Sequence, residues 1–303
     1  MSSLSLRLVL LLLGSLISLS PAQARLLVDQ VGRQVEIPSR PQRIVALMPS
    51  ITEVVFALGA DSRLVGVTQY ATTPPAAARI AKVGSYVHLD VERIIRLNPD
   101  LCLAVRDGNP KHVVDRLAGF GIPVFVIDPR TLEEVVESIR LLGEALHCQP
   151  EAARIMTEMN HILREVEASV APLKTRPRVF FQIDASPIIS AGHNTFIDQL
   201  IVKAGGVNLA AGPTPYPRYS WEDVLRLNPE VVIITSMAGG YSSEQLKAGW
   251  RKWPQIPAVA ANRVHVVDAD YFDRPSLRLF EGLRQLLEII HPAPRNLGTN
   301  HSR

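Results

Sequence analysis

The side chains best suited to hold a ligand sit at the ends of apolar runs. Ser50 follows the run Arg43–Leu47, Tyr70 follows Leu64–Val67, and Tyr86 and Tyr216 each precede one copy of a repeated helical segment. The segment Asp270-Tyr271-Phe272-Asp273-Arg274 follows the last apolar run, Val264–Val267. If these runs are strands of parallel sheets, such positions lie at the carboxyl ends of the strands, where open α/β sheets bind small molecules. Tyrosines there offer flat apolar faces with a polar rim, which suits a large planar or amphipathic ligand. Taken singly, each tyrosine suits ordinary loop packing equally well, and Arg274 suits an ion pair with Asp270 or Asp273 across a turn.

Two acids have a different setting. Glu92 and Glu222 each lie two residues after a helix N-cap candidate, Asp90 or Ser220. An acid in a first helical turn is favoured by the helix dipole and needs no partner. Their matched positions also suit docking of two basic pockets on a dimeric partner. The eight histidines are scattered, with no close pair at metal-ligand spacing, so no metal site is assigned. No phosphate-cradling GxxxxGK[ST], GxGxxG, GxSxG or HExxH motif is present, and no catalytic residue or cofactor is expected.

The elements that must position these residues are legible through an internal repeat. Glu92-Arg-Ile-Ile-Arg-Leu-Asn-Pro-Asp-Leu101 recurs as Glu222-Asp-Val-Leu-Arg-Leu-Asn-Pro-Glu-Val231. Each copy reads as a short helix stopped by Asn-Pro, because proline disfavours helical geometry in the residue before it, followed by a strand. One helix-turn-strand unit used twice predicts two related lobes. The first takes strands at Arg43–Leu47, Leu64–Val67, Leu101–Val105 and Val124–Ile127. The second takes strands at Arg178–Gln182, Val231–Thr235 and Val264–Val267 and a last helix over Ser276–Ile290. Alternation with helices implies right-handed crossovers and mostly parallel sheets. Ser50 and Glu53 form a capping-box pattern opening the first helix, which Gly59 closes. Between the lobes, Ile155, Met159, Ile162 and Val166 recur at helical spacing in a stretch almost without glycine or proline, predicting one long joining helix; a helix packed inside a single domain fits the same period.

Composition bounds the setting. Arg7, the apolar stretch Leu8–Leu19 and Ala22-Gln23-Ala24 form a secretory signal, which predicts cleavage after Ala24 and a soluble periplasmic protein. The apolar stretch is shorter than the roughly 20 residues that a transmembrane anchor needs. No cysteine near the cut offers a site for a lipid. The net charge is only +3 and the basic residues are scattered, so no nucleic-acid stripe exists. Of the two cysteines, Cys102 lies in an apolar run and Cys148 after a helix, and either pairing or free thiols would fit. The expected division is a signal peptide over 1–24, an N-terminal α/β lobe over 25–148, an interlobe helix over 149–172, a C-terminal α/β lobe over 173–293 and a disordered tail over 294–303.

The run Arg43-Ile-Val-Ala-Leu-Met-Pro-Ser-Ile-Thr-Glu-Val-Val-Phe-Ala-Leu-Gly59, with Leu64-Val-Gly-Val67, Tyr70, Pro74-Pro75 and Val83-Gly84, resembles the substrate-binding proteins of iron-siderophore, haem and vitamin B12 ABC importers. The likeness spans essentially the whole chain after the signal. It implies two Rossmann-like lobes joined by one long helix, no enzymatic activity, and delivery of a bound small molecule to a permease dimer with its ATPase by a monomeric carrier. Arg106-Asp-Gly-Asn109, Gly121-Ile-Pro-Val124 and Asp270–Arg274 are most similar to the branch that carries vitamin B12. That likeness implies a corrinoid held against Ser50, Tyr70, Tyr86, Val105, Ile183, Tyr216, Asp270 and Arg274, with Glu92 and Glu222 docking on the permease. Tyr86, Val105, Ile183 and Tyr216 stand where that branch carries tryptophan or phenylalanine, so the pocket is less aromatic, and haem or a ferric siderophore is the alternative ligand within the family. A periplasmic enzyme or chelatase and a bare-metal carrier are the readings outside it.

Overall fold

The computed structural model describes residues 24–235 and 241–292. The expected signal segment before Ala24 and the tail over 294–303 lie outside the described residues. An antiparallel hairpin of β1 (Ala24–Val28) and β2 (Gln34–Pro38) leads into the N-terminal lobe. That lobe contains β3 (Ile44–Ala46), α1 (Pro49–Ala57), β4 (Leu64–Val67), α2 (Val91–Arg96), β5 (Leu101–Val105), α3 (Lys111–Gly119), β6 (Val124–Ile127) and α4 (Leu132–Ala145). Its sheet has the order β4-β3-β5-β6 and is parallel throughout.

Helix α5 (Gln149–Val170) crosses to the second lobe. There follow β7 (Arg178–Ala185), β8 (Ile188–Ser190), α6 (Phe196–Lys203), β9 (Val207–Asn208), β10 (Arg218–Tyr219), α7 (Trp221–Leu227), β11 (Val231–Ile234), α8 (Ser243–Arg251), α9 (Pro257–Ala260), β12 (Val264–Val266) and α10 (Arg278–Ile290). β7, β11 and β12 are parallel, whereas β8 and β10 add antiparallel strands at the β7 edge. This sheet is therefore mixed.

The duplication extends beyond sequence identity into hydrogen bonding. The helix of each repeat stops at an asparagine with positive φ, Asn98 at +45° and Asn228 at +51°, a conformation asparagine tolerates better than most residues. The arginine that opens each lobe's first strand then caps the turn: Arg43 donates to the Leu97 and Asn98 carbonyls, and Arg178 to the Asn228 carbonyl at 2.7 Å. In return the acid after Asn-Pro accepts that arginine's backbone N–H, Asp100 at 2.9 Å and Glu230 at 2.7 Å. The motif thus clamps a helix end to a neighbouring strand, once per lobe.

One face of α5, with Ala152, Ile155, Met159, Ile162, Val166 and Val170, is buried against α4 of the first lobe and α10 of the second. These residues belong to an apolar core that runs through both lobes. At 22 residues the helix spans about 33 Å. A stiff rod bonded into both halves restrains hinge motion. Polar contacts add to it: Gln199 accepts from the Leu132 backbone at 2.6 Å and donates to Glu133 at 2.7 Å, and Lys203 pairs with Glu133 at 2.9 Å. Among the described residues no helix is long and apolar enough to cross a membrane.

One sequence expectation is corrected. α1 is not opened by a Ser50–Glu53 capping box; its N-cap is Met48, without a side-chain hydrogen bond, and Ser50 is already its second residue. Pro49 accounts for the shift, since it fixes a helical φ and lacks the N–H that a first helical residue would leave unpaired. Gly59 does follow the helix end, with φ +67°.

Candidate functional site

The segments after β3, β5 and β6 of the first lobe meet the loop before β10 and the segment after β12 of the second at the junction of the lobes, the candidate cleft. Tyr70 and Tyr86 form one wall, with ring centroids 5.9 Å apart and planes tilted by 60°. Tyr70 is 52% exposed, so part of its ring is open to a ligand. Tyr86 is held through its backbone. Buried Asn109 donates to the Tyr86 carbonyl at 3.0 Å and the Leu47 carbonyl at 2.8 Å, while its Oδ1 accepts the Val105 N–H at 2.9 Å. One amide thereby ties together the ends of β3 and β5 and the loop before α2.

From the opposite lobe Tyr216 projects with 54% exposure. Partial burial raises its phenol pKa first, the Asp107 and Asp273 carboxylates raise it further, and Arg130 opposes them. Asp107 and Arg130 belong to the first lobe, so these charges meet across the cleft. Asp270 and Arg274 form a close ion pair on the loop after β12. Arg278 reaches over to Glu53 on α1 at 3.1 Å and lies 3.7 Å from Asp270. Burial pushes the Glu53 carboxyl up, and Arg278 and then Arg274 oppose that shift.

Ser50 lies deeper. It is 1% exposed, its Oγ has no hydrogen-bond partner, and it lines a small cavity with Ile127, Pro129, Pro275 and Ser276 at the junction of the lobes. Val105 and Ile183 are both 4% exposed and sit in the shared core. The structure thus brings Tyr216, Asp270 and Arg274 to the junction of the lobes, pairs Tyr70 with Tyr86 on the first lobe, and buries Ser50, Val105 and Ile183. Asn109, Glu53, Arg278 and Asp273 were not singled out from sequence as site residues. The sequence signal for Asn109 was its presence in a family-like run, and Asp273 had in addition its place in the segment after the last apolar run. A groove of about 560 Å³ between α4 and α5, lined by residues such as Arg140, Glu144 and Asn160, carries no aromatic side chain and has none of these features.

Asp273 is unusual. Thr235 donates to its Oδ1 at 3.1 Å, but its Oδ2 is buried without a partner. Burial pushes its pKa up to about 7, with Asp270 and Asp268 adding to the rise against Thr235 and Arg274. A raised carboxyl pKa makes the folded state bind more protons than the unfolded chain, so stability falls as pH rises from the ordinary carboxylate range through about 7. Asp273→Asn is therefore expected to stabilise the protein at pH 8 by about 2 kcal/mol, an advantage that vanishes near pH 4. Urea midpoints at the two pH values test this; equal midpoint shifts would remove Asp273 from the titration.

Glu92 and Glu222 are exposed at matching places, each in the first turn of its helix. Asp90 accepts the Arg93 N–H at 2.9 Å, and Ser220 and Asp223 form a reciprocal capping box. The sites differ in their surroundings: Glu92 pairs with Arg116 at 2.8 Å, and Glu222 has no ion-pair partner among the described residues. Cys102 and Cys148 are buried free thiols.

Two α/β lobes, one on a parallel and one on a mixed sheet, with a bridging helix and an aromatic, ion-paired junction, define a ligand-capturing binding protein. The chain belongs to the periplasmic binding protein family, whose model matches residues 44–271. It is 31% identical over 255 residues to the vitamin B12-binding protein of Pectobacterium atrosepticum, covering 81% of this chain and 87% of that one. An uncharacterised ABC transporter substrate-binding lipoprotein of Bacillus subtilis is 31% identical over 270 residues, covering 87% and 84%. The crystal structure of the periplasmic vitamin B12-binding protein of Vibrio cholerae superposes with a TM-score of 0.74 at 27% identity, covering 84% and 98%.

Proposed function

We propose that this protein captures cobalamin or a related corrinoid between its lobes in the periplasm and delivers it, chemically unchanged, to an ABC importer. The observation that supports the reading is the set of groups the two lobes offer: the Tyr70–Tyr86 ring pair on one, and half-exposed Tyr216 with the paired Asp270 and Arg274 on the other. Flat faces cover a macrocycle, and the polar rim meets its peripheral groups. Ser50, Val105 and Ile183 become ligand contacts only if the lobes part or the floor rearranges. The ligand is cargo, so no resident cofactor and no catalytic group is needed. Glu92 and Glu222 serve as the docking points for a permease dimer and its ATPase, and a monomer suffices because each acid is on a separate lobe. Removal of the signal after Ala24 leaves the β1–β2 pairing from Arg25 opposite Ile37 to Val28 opposite Gln34.

Calorimetry with cyanocobalamin, haemin and a ferric siderophore tests the proposal. Tight one-to-one heat with cyanocobalamin and none with the others is expected. Heat from haemin or the siderophore alone would keep the carrier and replace its cargo.

A further inference from the structure

The loop that carries Tyr216 is built onto the turn after β8. The β8–β10 pairing sets Tyr219 opposite Ile188 and Arg218 opposite Ile189. Continued at the same register, it sets Pro217 opposite Ser190, Tyr216 opposite Ala191 and Pro215 opposite Gly192. The hydrogen bonds follow that register: the Ser190 N–H donates to the Pro217 carbonyl at 3.1 Å, and the Gly192 N–H to the Pro215 carbonyl at 2.8 Å. Neither proline returns a bond, because neither has an N–H. Each added rung is therefore single, and the loop needs other ties to stay seated. The His193 N–H supplies one, to the Gly212 carbonyl at 3.2 Å. Asn208 supplies another, since its amide donates to the Ala191 carbonyl at 2.8 Å and its Oδ1 accepts the Ala210 N–H at 3.0 Å.

What permits this seat is the missing side chain at Gly192. A Cβ there would lie 2.2 Å from the Thr214 carbonyl oxygen, 3.1 Å from that of Gly212 and 3.2 Å from that of Ala210. All three are backbone atoms of the one loop, so no side-chain rotation relieves the contact and the loop itself must lift. Gly192 is tethered in its turn: its carbonyl accepts the Thr195 hydroxyl at 2.8 Å, and its N–H is spent on Pro215. Lifting the loop breaks the Gly192–Pro215 rung first and frees the backbone on the N-terminal side of Tyr216.

We propose that Gly192 is a positioning residue: by letting the 210–217 loop lie against the turn after β8, it extends the sheet edge as far as Tyr216 and fixes that ring at the lobe junction before a ligand arrives. Pro213, Pro215 and Pro217 act in the same direction, since each locks its φ and reduces the freedom that the loop would lose on binding. The step from position to affinity rests on the reading of Tyr216 as a ligand contact; the position of the ring does not. A wall preformed in this way binds with little ordering cost, so loosening the loop weakens binding even though no contact atom is removed.

The experiment uses the purified protein with fluorotyrosine at its six tyrosine positions. Fluorine NMR reads the titration of each phenol, and Tyr216 is assigned by the resonance lost in Tyr216→Phe. In wild type the Tyr216 phenol titrates above the ordinary range, raised by burial and then by Asp107 and Asp273. In Gly192→Ala it is expected to fall toward that range while the Tyr70 and Tyr86 resonances stay in place. Affinity, measured by calorimetry with cyanocobalamin, or with haemin should only haemin bind, is expected to fall about tenfold. Pro215→Gly, an exposed change that keeps the carbonyl acceptor, should move both readouts in the same direction by less. The affinity loss should vanish when Gly192→Ala is made in a Tyr216→Ala background, which a general weakening of the lobe would not do. An unchanged Tyr216 titration in both loop variants, or an affinity loss that persists without the ring, overturns the proposal. If the phenol shifts but neither Gly192→Ala nor Tyr216→Ala changes affinity, Gly192 still positions the ring and the reading of that ring as a ligand contact fails.

Discussion

Glu92→Ala together with Glu222→Ala is expected to reduce ligand uptake through the importer more than twentyfold while leaving the ligand dissociation constant within a factor of two. Both acids are exposed, each on the first turn of a short helix, so neither supports the core. Removing them costs the fold little: the Arg116–Glu92 pair is solvent-exposed and worth under about 1 kcal/mol. At a docking interface the same carboxylates would be desolvated against basic groups, and truncating one partner of such a buried pair typically costs about 2–5 kcal/mol. Two such losses account for the factor. The single variants should differ, because a permease cation must compete with Arg116 for Glu92 but meets Glu222 unengaged. Glu222→Ala should therefore be the more damaging. Uptake into vesicles carrying the importer, measured alongside calorimetry on the same preparations, separates the roles. A parallel loss of affinity would move the acids into the ligand site, and unimpaired uptake would place docking elsewhere on the surface.

The lobes were legible because the Asn-Pro repeat records a local event, a helix stopped and a strand begun, that needs no knowledge of distant residues. What the repeat is for was not legible: the Arg43–Asp100 and Arg178–Glu230 clamps join segments more than 50 residues apart. The helix over 149–170 was readable from its apolar period, but its bridging role was not fixed by that period, which a helix packed inside one domain would also show; its buried stripe meets α4 of one lobe and α10 of the other. The β1–β2 hairpin gave no clear signal, because Leu26 and Val28 are apolar yet exposed and blur the expected alternation. For α1, a capping pattern was overruled by the proline beside it. The loop positions of Tyr70, Tyr86 and Tyr216 were legible from a strand end and the repeated helix, whereas the interlobe ion pair was not: Glu53 and Arg278 meet only through the approach of two lobes. Val105 and Ile183 were carried over by resemblance alone and Ser50 also from its place after an apolar run, and the burial of all three is a property of packing that local spacing does not encode.

Asn109→Ala should cause the largest loss of stability of any single change at the cleft, about 3 kcal/mol, because it strands the Val105 N–H and the Leu47 and Tyr86 carbonyls in a buried setting. For a protein of this size that loss corresponds to a fall in Tm of about 6–12 °C. Affinity should fall as well, since the amide fixes the loop that presents Tyr86 to Tyr70, and a wall that must be ordered on binding binds less tightly. Tyr86→Ala provides the contrast: it removes ligand contact without unpairing the three backbone groups, so affinity should drop with a smaller change in Tm. Asn109→Asp keeps the bond from Val105 but loses both donors and sets a carboxylate against two carbonyl oxygens, so it should be no better than alanine at neutral pH and partly recover as the pH is lowered and the carboxyl gains a proton. Thermal melts and calorimetry on the three variants decide the matter. If Asn109→Ala matches wild type in both, the wall is held by the packing of the two rings and not by the amide beneath them.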